Sequence, residues 1–232
     1  KIPSCIKFIS PFCFEKCKRL KSIRFNDDSN ITIIGNDAFG KTHIESLYIP
    51  AHLTELKNGW CANIPNLNEI YVSSKNKHFK LIEEKMIVGK SCPDNEVYDV
   101  LEFACRDIEE AKIPSYIKYI SPFCFEKCRL LQKVQFSKDS KLISIGKYAF
   151  SQSSIESITI PKYCEQIQEG AFFKCDYLQS IIFHEDSKLQ IIDEKAFSNS
   201  SLISIKIPKH VKTIKRDAFS DCHLLINVTF HK

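Results

Sequence analysis

Residues 1–25 read KIPSCIKFISPFCFEKCKRLKSIRF, and residues 112–136 read KIPSYIKYISPFCFEKCRLLQKVQF. With Lys112 laid over Lys1, seventeen of the 25 positions are identical. Self-similarity at a fixed spacing is the mark of stacked repeats, and a shorter period lies inside the long one. Ile-Pro begins at Ile2, Ile49, Ile113, Ile160 and Ile207; between these fall Phe25, Val72, Phe136, Phe183 and Phe230, each closing a short segment of alternating apolar residues. As one series the spacings are 23, 24, 23, 41, 23, 24, 23, 24 and 23. The chain is thus an alternation of short and long coils, the long ones one position longer, broken once by the 41.

Each unit has the same grammar. A segment such as Leu202-x-x-Ile205-x-Ile207 places apolar residues on one face with period 2, as a half-buried strand requires. An apolar pair follows (Val211 and Ile214), then Ala218-Phe219. The short units carry Phe-x-x-Cys at that point (Phe14/Cys17, Phe125/Cys128, Phe172/Cys175, Phe219/Cys222). The long units carry Asp-Ser early, and Thr42, Ser153 or Ser200 in place of the Cys. A unit this small cannot bury its own apolar face, whereas stacked units share a continuous core. The expected fold is therefore a repeat solenoid over 1–232, with a parallel sheet from strands at 22–25, 46–49, 69–72, 110–113, 133–136, 157–160, 180–183, 204–207 and 227–230. Short helical turns or short strands would form the opposite face. The proline after each Ile ends the ladder, because it has no N–H to donate. The Phe of each unit is expected to stack on the Phe of the next.

The stretch IPKYCEQIQEGAFFKCDYLQSI, from Ile160 to Ile181, resembles the leucine-rich repeats of BspA-like surface proteins of bacteria and parasitic protists. The resemblance runs along almost the whole chain. It departs at Trp60-Cys61, where Ala-Phe would stand, and at Cys13 and Cys124, which replace the Ala. It implies a leucine-rich-repeat solenoid, cell-surface or secreted location, and adhesion or recognition without catalysis toward protein or matrix ligands of a host or neighbouring cell. The motif fixes no ligand-binding residue. An intracellular interaction scaffold and a passive spacer use the same coil, so they stay open as alternatives.

Consensus positions are needed for packing, so partner contacts are sought where the pattern varies or breaks. The spacing of 41 between Val72 and Ile113 marks an insertion at about 73–110. Within it HFKLIEEKMIVG (78–89) and EVYDVLEFAC (96–105) each read as a strand, and the turn cluster at 90–95 makes them a β-hairpin, either extruded for a partner or patching an irregular coil. The outward strand positions are polar with mixed charge. Tyr48 and Tyr71 stand on neighbouring strands beside the insertion, and exposed tyrosines bring contact area at low entropic cost. With Arg24, Glu69, Glu110 and Lys112 they make the candidate partner-binding set.

Composition narrows the rest. The net charge is +5, from 33 basic and 28 acidic residues spread along the chain, which does not suit a nucleic-acid backbone binder. No apolar run approaches the roughly 18 residues that a transmembrane segment needs. No cofactor or metal is expected: glycine-rich phosphate loops and nucleophile motifs are missing, and Cys13/Cys17 and Cys124/Cys128 lack the second pair of a zinc site. Histidines recur with the coil, as at His184 and His231, and do not converge on a site. The Phe-x-x-Cys thiols read as small buried hydrophobes; Cys92 and Cys105 are the one pair left open to bridging. Sequons occur at Asn30, Asn199 and Asn227. Neither end carries a polar cap, so a fragment of a longer array, or end-to-end self-association, is expected.

Overall fold

In the computed structural model residues 1–26 and 28–230 are described, and the chain groups into two compact units, Lys1–Asp107 and Ile108–Lys232. His231 lies outside the described residues. Each unit is a parallel β-solenoid, and among the described residues none is in an α-helix.

Unit 1 stacks β1 (Phe8–Ile9), β3 (Ile33–Ile34) and β5 (Glu55–Leu56) into one parallel sheet, and β2 (Ser22–Ile23), β4 (Ser46–Ile49) and β6 (Glu69–Val72) into another. Three further strands follow: β7 (Phe79–Ile82), β8 (Met86–Gly89) and β9 (Val100–Ala104). Unit 2 repeats the two-sheet pattern. β10 (Glu110–Ile113), β12 (Lys133–Phe136), β14 (Ser157–Ile160), β16 (Ser180–Phe183), β18 (Ser204–Ile207) and β20 (Asn227–Phe230) are the four-residue strands. β11 (Tyr119–Ile120), β13 (Ser144–Ile145), β15 (Gln166–Ile167), β17 (Ile191–Ile192) and β19 (Thr213–Ile214) are the two-residue strands behind them. The four-residue strands fall where the period-2 alternation placed them. Only 22–25 is shortened, with Phe25 bridging Ile2 beyond the end of β2.

The Ala-Phe arm explains why short strands and turns form, and not helix. Residues four apart adopt left-handed backbone in coil after coil, such as Tyr148 and Gln152, or Lys195 and Asn199, and such residues interrupt a right-handed helix. Alternate N–H groups then close tight turns, as from Ala149 to the Gly146 carbonyl, while the ones between them reach the next coil. The N–H of Phe150 donates to the Ala171 carbonyl (2.8 Å), and that of Phe172 to the Ala196 carbonyl (2.7 Å). The arm is thus a ladder of its own, and its buried backbone groups are satisfied. Gly146 sits where the preceding coil comes closest, since a Cβ there would lie 2.5 Å from the Ile120 carbonyl oxygen.

The phenylalanines form the expected spine. In unit 2, Phe125, Phe150, Phe172, Phe197 and Phe219 stack in order with centroids 4.8, 5.1, 5.3 and 5.3 Å apart. Beside them the alternating Cys and Ser fill one slot: the Cys175 thiol donates to the Phe150 carbonyl (3.0 Å) and lies 3.7 Å from Ser153 Oγ. Burial pushes the Cys175 thiol up to about 12. Of the Phe-x-x-Cys thiols Cys128 and Cys175 are buried as expected, whereas Cys17 is exposed and Cys222 half-buried, so the buried reading fails at those two.

The alternation of short and long coils also sets how the four-residue strands pair. Across each short coil the ladder is complete, with every strand residue in register for β4–β6, β10–β12, β14–β16 and β18–β20. Across the long coils it opens. β2–β4 keeps two pairs, β16–β18 keeps only Ser180 with Ser204, and among the described residues no ladder joins β12 to β14. Proline supplies part of the reason. In three of the complete seams the residue after the strand donates to the preceding Ile carbonyl: Ser73 to Ile49, Ser137 to Ile113 and His184 to Ile160. In open seams that residue is Pro50, Pro161 or Pro208, which has no N–H.

Candidate functional site

Unit 1 brings together four of the six residues singled out from sequence. β4 turns Leu47 and Ile49 inward and Tyr48 outward, and register places Tyr48 opposite Tyr71 and Ser46 opposite Glu69. The Tyr71 hydroxyl donates to Glu69 Oε2 at 3.4 Å. Arg24, Tyr48 and Tyr71 border a shallow depression of about 220 Å³ over the β2/β4 seam. Glu110 and Lys112 lie in unit 2 on the outward face of β10, in register with Lys133 and Gln135.

The insertion is built differently from its reading as a hairpin of two strands. Residues 78–89 form two strands, β7 and β8, joined by a tight turn at Glu83 and Glu84, and β9 pairs antiparallel with β8 to make a three-stranded meander. β8 is fully buried and β9 nearly so, so the meander serves as core. Phe103 of β9 packs on Trp60 (centroids 5.4 Å apart), at the coil position where Trp60-Cys61 replaces Ala-Phe. Arg106 is buried with its guanidinium 4.4 Å from the Phe103 ring and donates from Nε to the Ile64 carbonyl at 3.2 Å. Cys92 is exposed and Cys105 buried, each as a thiol and without a bridge. Asn76 ties the start of the meander to the coil. Its Nδ2 donates to the carbonyls of Pro50 (2.7 Å) and Leu53 (3.0 Å), and its Oδ1 accepts from the N–H groups of His78 and Phe79 (both 2.8 Å).

A larger concavity lies in unit 2 over the open β12/β14 seam, a cleft of about 880 Å³. Lys133 and Gln135 of β12 and Ser157 and Thr159 of β14 give it polar walls. Lys138, Lys141 and Lys162 gather with the exposed Tyr163 at the end toward which the strands run. Lys162 pairs with Asp186 at 3.1 Å; Lys133, Lys138 and Lys141 have no ion-pair partner among the described residues. A second hollow of about 370 Å³ follows at the thinly paired β16/β18 seam, lined by Ile182, Phe183 and Pro208 with Glu185 and Lys206. His184 borders both concavities, and its Nδ1 accepts the Asp186 N–H at 3.0 Å. In the sequence His184 stands out only as a repeat position, and Lys138, Lys141, Lys162 and Tyr163 do not stand out at all. The available signal was the longer coil combined with Pro161. Among the described residues no three His, Cys, Asp or Glu side chains are grouped to hold a metal ion.

A profile of the BspA type leucine rich repeat region matches residues 1–89 and 101–226, in six copies. The chain belongs to the BspA-type leucine-rich repeat family. Comparison with curated proteins finds no match for this BspA-type chain. Among solved structures it is similar to a leucine-rich repeat protein from Eubacterium ventriosum (22% identity, TM-score 0.76, 97% of this chain and 58% of that one). It is also similar to the pneumococcal vaccine antigen PcpA (21%, TM-score 0.75, 98% and 61%) and to a leucine rich cell surface protein from Faecalibacterium prausnitzii (21%, TM-score 0.67, 100% and 59%). At these identities the likeness is one of fold, and the BspA-type chain spans about three fifths of each of these proteins. No helix among its described residues is long and apolar enough to cross a membrane.

Proposed function

We propose that the chain is a non-catalytic recognition module, displayed at a cell surface or secreted, that binds protein or matrix ligands of a host or neighbouring cell. The observation that carries this reading is the division of labour within each coil. Inward residues are consumed by the Phe spine and the ladders, whereas the outward residues of the four-residue strands form a polar face with a hollow at each open seam. The surface location draws support from the Faecalibacterium prausnitzii neighbour, which is described as a cell surface protein. On this reading Arg24, Tyr48, Glu69 and Tyr71 of unit 1, and Glu110 and Lys112 of unit 2, are contact residues. End-to-end self-association belongs to the same proposal, and sedimentation over a concentration series would show it. The deciding experiment is binding of the purified chain to intact host-type cells and a panel of matrix proteins at low and physiological salt. Saturable binding that survives physiological salt, and weakens in Tyr48→Ala with Tyr71→Ala, is expected. Absence of binding, or its complete loss on raising the salt, would refute the proposal.

A further inference from the structure

The two hollows of unit 2 differ in chemistry and share one border residue. Over β12/β14 the lining holds Lys133, Lys138, Lys141 and Lys162 against one carboxylate, Asp139, and the first three lysines form no ion pair among the described residues. Over β16/β18 the lining turns apolar, and Ile182 projects from the sheet 57% exposed, beside Phe183 and Pro208. Covering it removes apolar area from water, which is favourable at about 25 cal/mol per Å². Glu185 and Lys206 offset each other at the apolar hollow, so the net positive charge of the face lies at the β12/β14 cleft, and a carboxylate is attracted to that end. His184 lies between them, with its Nδ1 occupied by the Asp186 N–H.

We propose that this face of unit 2 takes an extended acidic segment of a protein partner, with carboxylates in the β12/β14 cleft and one large apolar side chain over Ile182 at the β16/β18 hollow. This rests on the protein-binding reading above and names the chemistry of the partner. Strand spacing sets the partner's pattern. β12 and β16 lie two strand positions apart, about 10 Å, and an extended chain covers about 3.3–3.6 Å per residue. Side chains of an extended chain alternate between its two faces, so the acidic pair occupies positions i and i+2, and the apolar residue at i+4 lies on the same face, about 10 Å from the middle of the pair. A sulfated polysaccharide would satisfy the lysines but would leave Ile182 uncovered, so a peptide meets both halves of the face.

The test uses the whole chain and labelled heptapeptides: aspartates at positions 2 and 4 with a leucine at position 6, the same peptide with both aspartates replaced by lysine, and the same with the leucine replaced by serine. Heparin serves as the polysaccharide probe. Saturable binding of the first peptide is expected, with at least tenfold loss for the lysine version and several-fold loss for the serine version. Lys138→Glu with Lys141→Glu should weaken the first peptide at least tenfold, and Ile182→Ser several-fold. These side chains are exposed and outside the core, and circular dichroism checks that each variant is folded. Heparin binding without peptide binding, or peptide binding indifferent to the variants, overturns the proposal. The same variants in the cell-binding assay separate the two levels: undiminished cell binding removes this face as the contact and leaves the recognition reading standing.

Discussion

Replacing Asn76 by Ala removes four hydrogen bonds with one side chain. The residue is buried, and all four bonds are to backbone groups, two carbonyls and two N–H groups. The Pro50 carbonyl keeps the Leu53 N–H, so three groups lose the partner recorded for them: the Leu53 carbonyl and the N–H groups of His78 and Phe79. At about 1 kcal/mol for each bond lost, and more where no water enters, the cost is about 3 kcal/mol. With a urea slope of about 1.5 kcal/mol/M the midpoint falls by about 2 M. Asn76→Ser is the informative companion. Asn76 holds the turn place that Ser140 and Ser187 hold in the long coils, where the Ser hydroxyl accepts the N–H two positions on. Serine at 76 should therefore restore the His78 bond alone and cost about 2 kcal/mol. The single tryptophan, Trp60, is buried against Phe103 in the same unit, so its fluorescence reports the relevant unfolding. A loss below about 1 kcal/mol for Ala, or equal losses for Ala and Ser, would refute the claim that Asn76 pins the meander to the coil.

Three further outcomes follow from the coil geometry. Phe172→Ala, at a ring stacked on both sides and fully buried, should cost about 4 kcal/mol in urea unfolding, and Phe219→Ala, half-buried at the end of the spine, clearly less. Gly146→Ala should destabilise by about 1–3 kcal/mol in the same assay, because the added methyl meets the Ile120 carbonyl of the adjoining coil. Alkylation at pH 8 followed by mass spectrometry should modify Cys5, Cys13, Cys17 and Cys92 quickly, while Cys164 and Cys175, their thiols pushed up to about 12 by burial, react only on unfolding.

Most of the solenoid was legible because its signals are local and repeated. The alternation Ser157-Ile158-Thr159-Ile160 admits one facing, and the short-coil offset to Ser180–Phe183 brings the two strands into register. The same offset correctly put Tyr48 beside Tyr71. The meander was misread because its first turn falls on Glu83-Glu84, both with left-handed backbone, where sequence offers no Gly or Asn to announce it. Burial of β8 and β9 was hidden for another reason. A run such as Met86-Ile87-Val88 fits an exposed hairpin and a core strand alike, and what decides is the buried cluster that Ile87 shares with Trp60 and Phe103. The unit 2 cleft eluded the residue-by-residue reading because it depends on hydrogen bonds that do not form. Lys133, Gln135, Ser157 and Thr159 were recognisable as outward residues, but nothing in their identities states that no ladder joins β12 to β14.

The alternation of closed and open seams underlies the grooved face, and amide hydrogen exchange resolved by residue tests it most directly. Along β12 and β14, the N–H groups turned toward β10 and β16 should be strongly protected, and those turned toward each other should exchange near the rate of an open chain. Equal protection on both sides of β14 would mean a continuous ladder through the cleft, and would contradict the open seam and the binding surface built on it.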